Sequence, residues 1–216
     1  MGFSLRFPFT VFTLTYRLPG EGWNAGPLAP LQDAQRALRL IRQNASRFEV
    51  DPERLGVLGF SAGGHLLGMA SVRSAFPSYE QNDAADGLSA RPSFSALIYP
   101  IITLEPPYDH TSTRRILIGT HPSPERSADW SVQTHVRSGC PPVFLVQAQD
   151  DPISDPANTR IMADACKRAG VPVELHQLAS GGHGFGMGEK DTPTGVWPDY
   201  FSAWLTTVAS AASARR

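Results

Sequence analysis

Along the chain, short apolar runs rich in β-branched and aromatic residues alternate with stretches in which apolar residues recur every three or four positions. Residues 10–18 (TVFTLTYRL) end at Pro19 and predict a strand, followed by a Gly/Pro loop over 21–30. From 31 to 48 the apolar positions Leu31, Ala34, Ala37, Leu38, Ile41 and Ala45 keep helical spacing. Asp51-Pro52 marks a turn into the apolar run 54–58, and residues 64–70 read as a helix. Two buried-looking strands follow over 94–102 and 142–148. An amphipathic helix over 158–169 stops at Gly170, and a last strand covers 171–178. A closing helix over 198–212 carries Phe201, Leu205 and Val208 on one face. The stretches 79–91 and 105–130 lack periodicity and predict a surface excursion or a small lid.

Strands separated by helices predict the α/β class, with a mostly parallel sheet and helices on both faces. Ligands meet such sheets at the carboxyl ends of the strands. Ser61, Asp151 and the loop around His183 each follow a strand end, so the pattern places three polar groups at one sheet edge. With 216 residues the chain suits one domain, 1–216, built on a single core.

Composition narrows the partners. A net charge of −1 supplies no basic field for nucleic acid or an anionic membrane. No apolar run reaches the length of a membrane span, and residues 1–18 show no convincing signal-peptide pattern. Cys140 and Cys166 have no metal-ligand spacing; they could pair, but the second sits on a helical stretch and both read as small buried residues. Compartment and oligomeric state stay open.

The chemistry concentrates in Gly59-Phe60-Ser61-Ala62-Gly63, a G-x-S-x-G motif between a strand and a helix. Such a turn holds a serine at a strained apex with its hydroxyl exposed. The flanking glycines are expected where a Cβ would collide with the neighbouring strand or helix. The plainer reading is a tight turn whose serine only caps the helix. A serine hydroxyl needs a base to take its proton, and the base needs a carboxylate on its other nitrogen. Ser61, Asp151 and His183 follow the Ser, Asp, His chain order of one known arrangement. Asp150 competes with Asp151; Asp151 is preferred, and the other aspartate is then a turn or cap residue. His183 stands in a Gly-rich loop after the last strand, whereas His65 lies on the helix that follows Ser61 and is expected to point into packing. His110, His121, His135 and His176 lack motif context.

Tyr16-Arg17-Leu18-Pro19, Ala29-Pro30-Leu31-Gln32-Asp33-Ala34, Gly59 to His65, Asp150-Asp151-Pro152 and Gly182-His183-Gly184-Phe185-Gly186 together resemble the α/β-hydrolase superfamily. Within it, they are most similar to the esterase/lipase group of bacterial acetyl-esterases and xylan-deacetylase-like proteins. The resemblance implies Ser61 as nucleophile, Asp151 as acid, His183 as base and the Ala62 N–H as an oxyanion donor. It implies hydrolysis of small acyl esters, such as acetylated sugars, through an acyl-enzyme, with no metal or organic cofactor.

The same resemblance implies strands ahead of residues 10–18, one of them lying between 10–18 and the Ser61 strand. It also implies a His-Gly-Gly or Pro-Gly-Gly-Gly type loop that donates a second oxyanion N–H. Nothing upstream of Ser61 matches that loop. The chain is therefore expected to be N-terminally incomplete, with a gap in the sheet unless the neighbours close up. Two further readings follow: a catalytically impaired or non-catalytic remnant, and a peptidase or amidase of the same fold. Trp130 and Phe185 are candidates for lining an acyl or sugar site, or for plain packing.

Overall fold

Four strands form one parallel sheet in the order β1 (Val57–Phe60), β2 (Ser95–Ile98), β3 (Val143–Ala148) and β4 (Val173–Leu178). The computed structural model describes residues 9–213, with 209–213 as backbone only. The helices are α1 (Ala29–Gln43), α2 (Ser61–Val72), α3 (Ser112–Ile118), α4 (Pro124–Asp129), α5 (Ala157–Arg168) and α6 (Trp197–Ser213). Parallel strands need crossovers, and the intervening helices supply them.

The central strands are apolar on both faces because helices cover both. Leu97 of β2 and Val143 and Leu145 of β3 join a core with Leu31 and Ala34 of α1, Leu66 and Met69 of α2 and Met162 and Cys166 of α5. Their neighbours Ala96, Ile98, Phe144 and Val146 point the other way, onto Trp197, Phe201, Trp204 and Leu205 of α6. This strict alternation is the two-residue period of a strand, and it sets a continuous apolar run between two helical layers.

Residues 10–18, expected as a strand, form none: among the described residues the ladders join only β1 to β4. A strand is made by its neighbours, and among the described residues β1 pairs with β2 alone. The segment is held by side chains instead. Leu14 and Tyr16 pack against the core. Arg17 makes a forked contact with Asp33 of α1, Nη2 to Oδ1 at 2.7 Å and Nε to Oδ1 at 3.0 Å, while its N–H donates to Oδ2 at 2.8 Å. Two of the family-like motifs thus anchor this segment to α1.

The aperiodic stretches carry more structure than their composition suggests. Thr111 and Ser123 accept from the N–H groups of Arg114 and Arg126 and so cap α3 and α4, with Pro124 in the first turn of α4. The 79–91 stretch is pinned to α1, where Arg36 pairs with Asp83 at 2.6 Å and Asp86 at 2.8 Å.

The glycines of the motif divide differently from the expectation. A Cβ on Gly59 would meet the Gly63 carbonyl oxygen at 2.4 Å, and one on Gly64 would meet Pro100 Cβ at 2.8 Å. A Cβ on Gly63 would meet nothing within 4 Å, so close packing constrains Gly59 and Gly64 and leaves Gly63 free. Gly59→Ala is therefore expected to cost about 1–3 kcal/mol or more in urea unfolding, since backbone must move to admit the methyl. Gly63→Ala, in a helix with open space, is expected to be neutral or to gain up to about 1 kcal/mol. Equal losses in the two variants would contradict the packing argument.

Candidate active site

Ser61 opens α2 directly from β1 with φ 50, a left-handed conformation that non-glycine residues rarely adopt. The glycines at 59 and 64 permit that turn by letting the helix start, strand end and Pro100 approach closely. Phe60 holds the N-cap position, and no side chain caps the helix. Ser61 is thus not the capping serine of the plainer reading. Its Oγ bonds His183 Nε2 at 2.7 Å.

His183 Nδ1 in turn bonds Asp151 Oδ2 at 2.8 Å. An ionised carboxylate can only accept, so the ring proton sits on Nδ1 and the Nε2 lone pair faces the Ser61 hydroxyl. The Asp151 side chain is 0 % exposed and that of His183 16 %. A buried carboxylate needs several donors, and Asp151 has them. Oδ1 accepts the Ile153 and Ser154 N–H groups, both at 2.9 Å, and Oδ2 accepts Gln147 Nε2–H at 2.7 Å. Of the two adjacent aspartates, only Asp151 meets the imidazole. Asp150 instead accepts the Gly182 N–H at 2.8 Å, which ties down the loop carrying His183. Such a chain of serine, imidazole and buried carboxylate can move the hydroxyl proton to the ring as the oxygen attacks.

Three residues at the site were not singled out in the sequence. Gln147 holds Asp151 and also donates to the Ser154 carbonyl at 2.9 Å. Its signal was a lone amide inside the apolar run of β3. Ser154 donates its hydroxyl to the Pro100 carbonyl at 2.6 Å, which fixes the Asp151 turn to the end of β2. Tyr99, with φ 39, accepts the Gly186 N–H at 3.1 Å and stands edge-on to the His183 ring. Nothing local in the sequence marks it.

His65 points into packing. It is 3 % exposed, and its Nε2–H donates to the Trp130 carbonyl at 2.8 Å. Burial pushes its pKa down to about 4. His135 and His176 bond the Asp129 carbonyl and the Glu174 carboxylate and take no part at Ser61. Beside Ala62 lies an apolar cavity of about 110 Å³, lined by Tyr16, Leu18, Ile116, Leu117 and Trp130 among others. Trp130 therefore borders a cavity, whereas Phe185 packs on Tyr99 with ring centres 4.5 Å apart. Among the described residues, no group of three or more His, Cys, Asp or Glu could hold a metal ion, and no helix is long and apolar enough to cross a membrane.

A parallel sheet between helical layers, with a serine at the turn after one strand and Asp and His loops after the others, defines an α/β-hydrolase. The BD-FAE family model matches residues 4–165, and the chain belongs to that family. It is 32 % identical over 181 residues to an acetylxylan esterase of Xylanibacter ruminicola, covering 82 % of this chain and 34 % of that protein. It is 31 % identical over 175 residues to endo-1,4-beta-xylanase B of Butyrivibrio fibrisolvens, covering 81 % of this chain and 26 % of that one. The chain thus spans about a quarter to a third of the length of these two relatives. Among solved structures, an acetyl ester-xyloside bifunctional hydrolase from Caldicellulosiruptor lactoaceticus superposes with a TM-score of 0.77 at 36 % identity, covering 84 % of this chain and 66 % of that one.

The buried neutral His65 makes stability depend on pH. Below pH 6.5 the unfolded chain binds a proton at His65 that the folded chain refuses until about pH 4. Stability is therefore lost as pH falls through that window, by about 3 kcal/mol in all from this one group. His65→Gln has no such proton to bind. Urea unfolding at pH 7 and pH 4.5 is expected to show a smaller acid loss in the variant, by about 2–3 kcal/mol. Parallel losses would contradict a buried neutral ring.

Proposed function

We propose that this chain is a serine carboxylic-ester hydrolase that cleaves small acyl esters, such as acetylated sugars, through an acyl-enzyme. The observation that carries the reading is the unbroken pair of bonds from Ser61 to His183 at 2.7 Å and from His183 to Asp151 at 2.8 Å. The names of the similar proteins, an acetylxylan esterase and an acetyl ester-xyloside hydrolase, support the same chemistry.

In this reading Ser61 Oγ attacks the ester carbonyl carbon while its proton passes to His183 Nε2. Asp151 holds the imidazole in the required tautomer and stabilises the imidazolium that forms. The carbonyl oxygen becomes an oxyanion beside the start of α2, where no side chain caps the helix and the Ala62 N–H is the proposed donor. The C–O bond to the alcohol then breaks, and the alkoxide leaves with the proton from Nε2. Water repeats the sequence on the acyl-enzyme, with His183 as base, and releases the acid and free Ser61. The apolar cavity at Ala62 takes the acyl group. At about 110 Å³ it is far below the roughly 300–1,000 Å³ of drug-sized sites, which favours short acyl chains.

Hydrolysis of p-nitrophenyl acetate by the purified chain tests the reading. Ser61→Ala is expected to abolish turnover, and Asp151→Asn to lower kcat by about 10⁴-fold through the wrong imidazole tautomer. Asp150→Asn keeps an oxygen for Gly182 and is expected to retain most of the activity. The acetate ester should be cleaved far faster than a dodecanoate. A rate that survives in Ser61→Ala would overturn the proposal.

A further inference from the structure

The loop that presents His183 has little stiffness of its own. Gly181, Gly182, Gly184, Gly186 and Gly188 all lie at positive φ, a region glycine enters and leaves at low cost. Besides the two bonds of the imidazole itself, three hydrogen bonds restrain it. Asp150 accepts from Gly182 N–H at 2.8 Å, Trp197 Nε1–H donates to the Gly186 carbonyl at 3.1 Å, and Tyr99 Oη accepts from Gly186 N–H at 3.1 Å. Of these three side chains, Tyr99 is the one whose ring also stands against the imidazole, edge-on with centres 5.0 Å apart.

Tyr99 is tied to the serine side as well. Its ring lies 5.7 Å from that of Phe60, the residue before Ser61. Two residues on, the Ile101 N–H donates to the Ser61 carbonyl at 3.4 Å. Tyr99 is 4 % exposed and sits at φ 39, a conformation that persists in a bulky residue only when its surroundings over-determine it. Its own N–H donates to the Val146 carbonyl at 2.7 Å, which fixes that turn to β3.

We propose that Tyr99 is a positioning residue that sets the distance between Ser61 and His183. Its ring is the stop against which the imidazole rests, and its hydroxyl locks the loop at Gly186. The proposal rests on the hydrolase reading of the site. Without the hydroxyl, Gly186 is freed and the imidazole spends less time within reach of Ser61 Oγ. The chemical step then slows, while ester binding, which does not need the imidazole, is unchanged.

Tyr99→Phe removes the hydroxyl alone, and Tyr99→Leu also removes the ring edge. Four quantities are read in each variant: kcat per active site titrated with a p-nitrophenyl phosphonate, KM, the thermal midpoint, and exchange of the Gly186 amide followed by NMR. Tyr99→Phe is expected to lower kcat about tenfold at unchanged KM, and to speed Gly186 exchange by about tenfold or more, the size expected for one lost hydrogen bond. Tyr99→Leu should lower kcat further. A Tyr99→Phe enzyme with wild-type kcat per active site, whether or not its exchange or melting temperature moves, would overturn the proposal and leave Tyr99 a packing residue. If the wild-type chain cleaves no ester, the hydrolase reading fails by itself. Gly186 exchange then decides the clamp, supporting it if faster in Tyr99→Phe and overturning it if unchanged.

Discussion

The backbone at the start of α2 approaches β1 and the end of β2 so closely that a single methyl group on Gly59 or Gly64 would overlap Gly63 or Pro100. That approach accompanies a left-handed turn at Ser61, the first residue of the helix, whose Oγ meets the His183 ring. The other site residues are arranged around that fixed point. Pro100, which Gly64 faces, offers its carbonyl to Ser154, and Ser154 N–H donates to Asp151. Tyr99, one residue earlier, holds the loop of His183. The strained turn is therefore the reference from which the Asp151 and His183 loops take their positions.

Burial divides the work among the polar groups. Asp151 is fully enclosed, and its four donors, from Gln147, His183, Ile153 and Ser154, replace the water it has lost. Asp150, one residue away and exposed, serves the backbone of the same loop that Asp151 serves through the imidazole. His65 and His183 show the same division. The first is sealed, neutral and bound to a carbonyl under α2; the second is partly open and set between a hydroxyl and a carboxylate.

Much of this was legible in the sequence because the relevant signals are local. The alternation of apolar runs and helical periodicity located all four strands and the helices α1, α2, α5 and α6. Chain order placed Ser61, Asp151 and His183 after strand ends, and the fold brings them within hydrogen-bonding distance. The misses have non-local causes. Residues 10–18 have strand composition, but pairing is a property of two segments, and no described strand lies beside them. The freedom at Gly63 and the crowding at Gly64 depend on where Pro100 lies, which no pentapeptide records. Tyr99 reaches Gly186 across 87 positions. The short helices α3 and α4 were missed for another reason. Their caps at Thr111 and Ser123 are readable signals, but the polar composition around them obscured the helices they begin.

Ester hydrolysis as proposed requires Ser61 to form a covalent bond with the acyl group. The most direct measurement is to quench the chain in acid during turnover of p-nitrophenyl acetate and map the acetylated peptide by mass spectrometry. A single acetyl group is expected on Ser61, absent from Ser61→Ala and accumulating when deacylation is slowed. Acetylation elsewhere at the same rate in both proteins, or turnover with no acetyl on Ser61 under any quench, would contradict it.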